Sequence, residues 1–249
     1  MTPASGFKDH FSTRSEQYAR FRPTYPAALY EALAERCTRT RRAWDCATGS
    51  GQVAVALASH FDSVIATDAS AQQIAAATPH PQVDYRTAPA ERSGLDDSAV
   101  DLITVAQALH WFDTLRFAAE AERVAGPGCL LAVWCYGLAE VTRACDAVIR
   151  GLYAGVVDAY WPPERVHIEN GYRDIELPGK PLPAPGFAMR LEWDADAMLG
   201  YLRTWSAVKR CEAAEGRDPV AGIEAPLRAA WGDGPRPVRW PLTLRLCRL

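Results

Sequence analysis

The chain has 249 residues, of which 49% are hydrophobic and 23% charged, the make-up of an ordinary globular protein with a sizeable core. The formal charge of −3 gives no global pull toward nucleic acid or an anionic membrane, and no apolar run reaches the ~18 residues of a membrane span. The first eight residues lack a basic-then-apolar leader, and the seven scattered cysteines form no C-x-x-C pair, so a cytoplasmic location without disulfides or structural zinc is expected.

Residues 1–25 are polar with interspersed aromatics. Pro26 suits the first turn of a helix running to about residue 39, with Leu29, Leu33 and Cys37 on one face. A short apolar strand over 43–47 then meets Thr48-Gly49-Ser50-Gly51, and Val53, Leu57 and Phe61 read as the next helix. A second strand covers 63–67 and ends at Asp68. Ser70 with Gln73 forms a capping box for another helix, which Pro79 and Pro81 stop. A third strand covers 83–87. The stretch 100–106 is a fourth, apolar once Asp101 is set aside. Asp113 caps a helix to about 125, closed by Gly126-Pro127-Gly128, and 129–135 is a fifth strand.

Beyond this, 136–185 shows helical spacing to about Tyr160 and then a proline-rich stretch, read as an inserted cap. A strand over 187–193 precedes one long helix capped by Asp194, carrying Met198, Leu202, Trp205 and Val208. A helix over 219–231 follows. A final strand over 237–246 contains Pro241, which marks an edge or a bulge. The late arginines Arg236, Arg239, Arg245 and Arg248 read as a solvated edge.

Strands that are apolar on both faces and alternate with helices predict an α/β, doubly wound, mostly parallel sheet. Seven strands are expected, the last antiparallel, in one domain spanning 1–249. Within it, 1–40 form a lid and helix, 41–135 the cofactor-binding half, 136–185 the cap, and 186–249 the closing helices and strands.

The glycine turn and Asp68 together point to an adenosine-containing cofactor, because ligands of open α/β sheets bind beyond the carboxyl ends of the strands. Gly49 to Ala54 formally matches the dinucleotide fingerprint G-x-G-x-x-A, so an NAD(P)-linked oxidoreductase is one reading. Asp45 opposes it. A carboxylate beside the turn repels a pyrophosphate, whereas it suits the cationic amine and sulfonium of S-adenosylmethionine.

The ordered motifs 43–51, Asp68, Ala88-Pro89-Ala90-Glu91 and 100–111 resemble class I S-adenosylmethionine-dependent methyltransferases of the type 11 group. The strings 18–26 and 107–113 are similar to the trans-aconitate and cantharidin methyltransferases. The resemblance implies that Asp45, Ala47, Gly49 and Ser50 line the methionine moiety, and that Asp68 holds the ribose. Ala69, Ala90 and Glu91 would meet the adenine, and Gln107 would face the amine and methyl. Tyr18 and Arg22 would belong to a lid over the cofactor. Two departures stand out. Ala47 occupies the position of the motif's first glycine, where a methyl fits if φ is negative. Pro89 replaces an acid of the adenine loop. They leave open a non-catalytic module that keeps the cofactor fold.

The implied activity is methyl transfer to a small molecule, most simply O-methylation of a carboxylate or hydroxyl by in-line displacement. His110 is the candidate general base, with a buried packing role as its alternative. Arg20 is a candidate clamp for an acceptor carboxylate. Trp111, Trp134 and Tyr136, with Trp205, are candidate walls over the methyl group. Ala106-Gln107-Ala108-Leu109 stands where nucleic-acid amino-methylating enzymes carry N/D-P-P-Y, which argues against a nucleic-acid acceptor, and His60, His80 and His167 are too isolated for a metal site.

Overall fold

A computed structural model describes residues 23–249. The chain opens with α1 (Ala27–Ala34), β1 (Arg42–Cys46), α2 (Gln52–Leu57), β2 (Ser63–Asp68), α3 (Ala71–Ala76) and β3 (Val83–Thr87). It continues with β4 (Val100–Ala106), a 3-10 turn (Leu109–Trp111), α4 (Thr114–Val124) and β5 (Ala125–Tyr136). Between β5 and the closing strands lie α5 (Arg143–Gly151), a π-helical turn (Leu152–Val156), a 3-10 turn (Asp158–Tyr160), α6 (Arg165–Glu169) and β6 (Lys180–Leu182). The end comprises β7 (Phe187–Trp193), α7 (Ala195–Arg203), α8 (Ser206–Glu215), a 3-10 turn (Ala221–Ile223), α9 (Glu224–Trp231) and β8 (Arg236–Arg248).

The sheet runs β3-β2-β1-β4-β5-β8-β6, with β7 also paired to β8. The first five strands are parallel, and β6, β7 and β8 pair antiparallel. The architecture is the α/β class expected, with eight strands. The eighth is the three-residue β6 in the proline-rich stretch, too short to show a period. The chain winds outward from β1 to β3 and returns on the other side of β1 as β4. That reversal opens a crevice beyond the carboxyl ends of β1 and β4.

Both faces of the sheet are covered. Along β5, Leu130, Ala132, Trp134 and Tyr136 join the core under α1, α2, α5 and α7–α9, while Cys129, Leu131, Val133 and Cys135 join the core under α4 and α6. This is the period-2 alternation of a central strand. Fully buried Trp44 satisfies its indole by donating to Thr67 Oγ1 at 2.9 Å.

Local chemistry sets several boundaries. Ser70, Asp113 and Asp194 cap their helices by accepting N–H groups three residues on. The first helix stops short of residue 39 because Arg36 and Cys37 turn back to carbonyls three residues behind. Gly126-Pro127-Gly128 lies inside β5 rather than before it. The register passes from Val100–Ala125 to Leu102–Leu130, so β5 absorbs extra residues in a bulge, with Gly128 at φ 75°. The single long helix expected after Asp194 is two, α7 and α8, broken at Thr204–Trp205, where Thr204 and Trp205 donate N–H groups to carbonyls three residues back.

The solvated edge expected of β8 is corrected. That strand lies between β5 and the pair β6 and β7; Arg236, Arg245 and Arg248 bond main-chain carbonyls, while Arg239 pairs with the exposed Glu140 carboxylate. Arg248 donates to Gly128 O and Arg36 O, and Arg245 to Ile175 O and Tyr172 O. Asp101, buried at the start of β4, accepts from the N–H groups of Arg41 and Arg42 and so ties down the entry to β1. Among the described residues no helix is long and apolar enough to cross a membrane.

Candidate active site

The turn after β1 is built on left-handed backbone. Ala47, Gly49 and Gly51 have φ of 57°, 56° and 83°. The negative φ that would have suited Ala47 is therefore not found. The alanine adopts the conformation that glycine occupies without strain, at a cost of about 1–2 kcal/mol for an L-residue. Thr48 N–H reaches Thr67 O at 2.9 Å, which ties the turn to β2. A Cβ on Gly49 would meet open space, and one on Gly51 would lie 2.2 Å from the Tyr85 hydroxyl. The turn is thus backed by Tyr85 at Gly51 and clear at Gly49, the position from which a bare backbone can meet a ligand.

Asp45 lies beneath this turn, 1% exposed. Its carboxylate accepts from Thr48 Oγ1 at 2.6 Å and Thr104 Oγ1 at 2.8 Å. Burial pushes its pKa up to about 6, and the hydroxyl bonds hold it from rising further. The carboxylate faces the turn from below, so its charge reaches the crevice as a field through a low-dielectric wall. Thr104 was hidden in a stretch that reads as apolar. The parallel register that sets it opposite Asp45 is what recruits it.

Asp68 at the end of β2 accepts from Gly49 N–H and Ser70 N–H, each at 2.9 Å, one on each oxygen. The acid thus fixes the glycine turn to the start of α3. Ala69 beside it is exposed, and Ser50 is exposed at the top of the turn. In the loop after β3, Ala90 is buried, and Glu91 accepts from Asp113 N–H at 2.8 Å, which directs that carboxylate at the start of α4. The same loop is held by buried Glu120, which accepts from Ser93 N–H at 2.7 Å and is clamped by Arg123. In the sequence Glu120 reads as one more polar residue of an amphipathic helix.

Gln107, at the end of β4, has φ 57°. Its amide bonds the main chain of Tyr136. It donates to Tyr136 O at 3.1 Å and accepts from Tyr136 N–H at 2.8 Å. His110 is buried, with Nδ1 2.8 Å from the Tyr172 hydroxyl, and its ring stacks on Tyr172. Burial, reinforced by the charges of Arg165 and His167, pushes its pKa down to about 3. A ring held so low is uncharged at neutral pH.

The aromatic wall divides. Trp134 is fully buried and meets Tyr25 edge-on, with ring centroids 5.4 Å apart. Tyr136 packs on the same Tyr25. Trp111 stands beside His110 in the turn after β4 and is half-buried. Trp205 stands at the break between α7 and α8 and packs with Tyr153 and Trp161. Tyr18, Arg20 and Arg22 lie outside the described residues.

Comparison with known proteins places this arrangement. Residues 44–133 match a family described as a methyltransferase domain. A protein of Dictyostelium discoideum named as a methyltransferase is 35% identical over 229 residues, covering 90% of this chain and 87% of its own. An uncharacterized methyltransferase of Mycobacterium tuberculosis is 33% identical over 119 residues, 47% of this chain and 48% of its own. The solved structure described as a type II methyltransferase from Anaeromyxobacter dehalogenans superposes with a TM-score of 0.86 at 47% identity, over 91% of this chain and 97% of that one. A Bacillus halodurans structure at 17% identity and a TM-score of 0.51, covering 89% and 98%, shares the fold.

Proposed function

Because the chain belongs to the class I S-adenosylmethionine-dependent methyltransferases, we propose that it methylates an oxygen of a small molecule, a carboxylate or a hydroxyl. This membership sets aside the dinucleotide-linked and non-catalytic readings. Asp45 beneath the turn, unsuited to a pyrophosphate, agrees with it.

The residues present suit the cofactor. Gly49 leaves open space where a side chain would stand, the buried Asp45 carboxylate supplies a negative field for a cationic amine and sulfonium, and Asp68 is held rigid by two N–H groups. Ala47, Gly49 and Ser50 would line the methionine moiety, Asp68 the ribose, and Ala69 and Ala90 the adenine. Bound there, the cofactor supplies a methyl group already activated on sulfur. The chain's part is to hold an acceptor oxygen in line at about 3–3.5 Å and to exclude water. Gln107 is assigned a positioning role, fixing Tyr136 at the rim, and Trp111 a place in the acceptor wall.

The observation that carries the choice of oxygen is the state of His110. Its ring is buried on Tyr172 and its pKa lies near 3, so it does not retain a proton taken from an acceptor at neutral pH. A carboxylate arrives ionised and needs no base. It is favoured over the hydroxyl for that reason.

The test is incubation with methyl-labelled S-adenosylmethionine and matched panels of carboxylic acids, phenols and amines, with calorimetric titration of S-adenosylhomocysteine alongside. Label appearing as methyl esters is expected. Label confined to amines would overturn the oxygen assignment.

A further inference from the structure

We infer that Arg165 anchors the methyl acceptor by binding an oxyanion group of it, distinct from the atom that is methylated. The inference rests on the methyl-transfer reading above for the word acceptor, and on the following geometry for the site.

The segment 161–168 crosses the top of the sheet. Trp161 packs on the core of one face and Ile168 on the core of the other. In between, α6 packs against the 109–111 turn that follows β4, and Cys135 near the end of β5 donates its thiol to Ile168 O. Arg165 is therefore carried past the carboxyl ends of β4 and β5, beside the crevice.

Its guanidinium is already oriented. The central carbon lies 4.8 Å from the Trp161 ring centroid and 5.3 Å from that of Tyr153, and Nε donates to the Tyr153 hydroxyl at 2.8 Å. The Tyr153 hydroxyl in turn donates to Glu169. Tyr153 sits in the π-helical turn Leu152–Val156, an irregularity often found at functional sites. Among the described residues no carboxylate lies within ion-pair distance of Arg165, and its two terminal nitrogens have no hydrogen-bond partner. The side chain is half-buried. A guanidinium stacked and pinned at Nε presents a fixed fork of N–H donors. That fork matches the paired oxygens of a carboxylate, sulfate or phosphate and rejects a cation. The charge is felt at the crevice, since it adds to the depression of the His110 pKa and opposes the rise at Cys135 and Tyr172.

The test titrates benzoate, phenyl phosphate and uncharged benzamide into the 249-residue chain with S-adenosylhomocysteine present, following tryptophan fluorescence. Benzoate or phenyl phosphate is expected to bind at least about tenfold more tightly than benzamide, a difference of ~1.4 kcal/mol. Arg165→Gln should abolish that preference while binding S-adenosylhomocysteine as the wild type does. Arg165→Lys, which keeps the charge, should retain part of it and guards against a folding defect in the first variant. Preference undiminished in Arg165→Gln, or absent from the wild type while S-adenosylhomocysteine binds, would overturn the assignment. A wild-type chain that prefers the oxyanion through Arg165 yet ignores S-adenosylhomocysteine would support the anion site and sink the methyl-transfer reading instead.

Discussion

Gln107 grips the main chain of Tyr136 at both its polar groups, donating to the carbonyl at 3.1 Å and accepting from the N–H at 2.8 Å. The last rung of the ladder between β4 and β5 pairs Ala106 with Trp134. At Gln107 the backbone turns away into the left-handed region, with φ 57°. Gln107 N–H still donates to Trp134 O at 2.8 Å, and the side-chain oxygen takes the place of the backbone carbonyl as acceptor for Tyr136 N–H. Gln107→Ala should lower the unfolding free energy in urea by about 1–3 kcal/mol, the cost of leaving such groups unpaired. S-adenosylhomocysteine affinity should change little by calorimetry. The reverse pattern, affinity lost and stability kept, would mean that the amide faces the cofactor.

Asp68 joins the glycine turn to the start of α3 through Gly49 and Ser70. Asp68→Ala should weaken S-adenosylhomocysteine binding by about 1–3 kcal/mol, the scale of charge-assisted hydrogen bonds. It should also lower the urea midpoint, because two backbone donors lose their acceptor. Unchanged affinity would show that the carboxylate serves the fold alone.

Ala47 holds a glycine's conformation at φ 57°. Ala47→Gly removes a strain of about 1–2 kcal/mol and gives back about 0.4–1 kcal/mol in unfolded-chain entropy. A net gain approaching ~1 kcal/mol in chemical denaturation is expected from these terms. A loss of stability would mean that the methyl group contributes packing that outweighs the strain.

His110 makes stability sensitive to acid. Its pKa is near 6.5 in the unfolded chain and about 3 in the folded one. Between those values the unfolded chain binds a proton that the native state refuses, so this contribution is lost as pH falls through the window. Asp45 acts in the opposite sense. Its pKa rises from 3.8 to about 6 on folding, so its contribution is lost as pH rises between them. The two oppose each other, and a comparison with His110→Gln separates them. The wild type minus variant difference in unfolding free energy should fall by up to about 1.4 kcal/mol per pH unit from 6.5 downward. A flat difference would mean that the ring is protonated in the native state.

The sequence by itself determined the alternation of strands and helices through 135, the caps Ser70, Asp113 and Asp194, the glycine turn after β1 and the acid at the end of β2. These are legible because each depends on neighbours within a few residues: a hydrophobic period, a capping oxygen, a backbone conformation. Tertiary structure alone decided that Thr104 faces Asp45, that Gln107 serves Tyr136, that His110 is pressed neutral against Tyr172, and that Arg165 crosses the sheet's carboxyl edge. It also decided that β8 is an interior strand whose Arg245 and Arg248 hold carbonyls, where the string of basic residues reads as a wet edge. The reason is physical. A side chain's partner and its desolvation are set by strand register and by which helix lies above it, and those pairings join residues 29 to 212 positions apart.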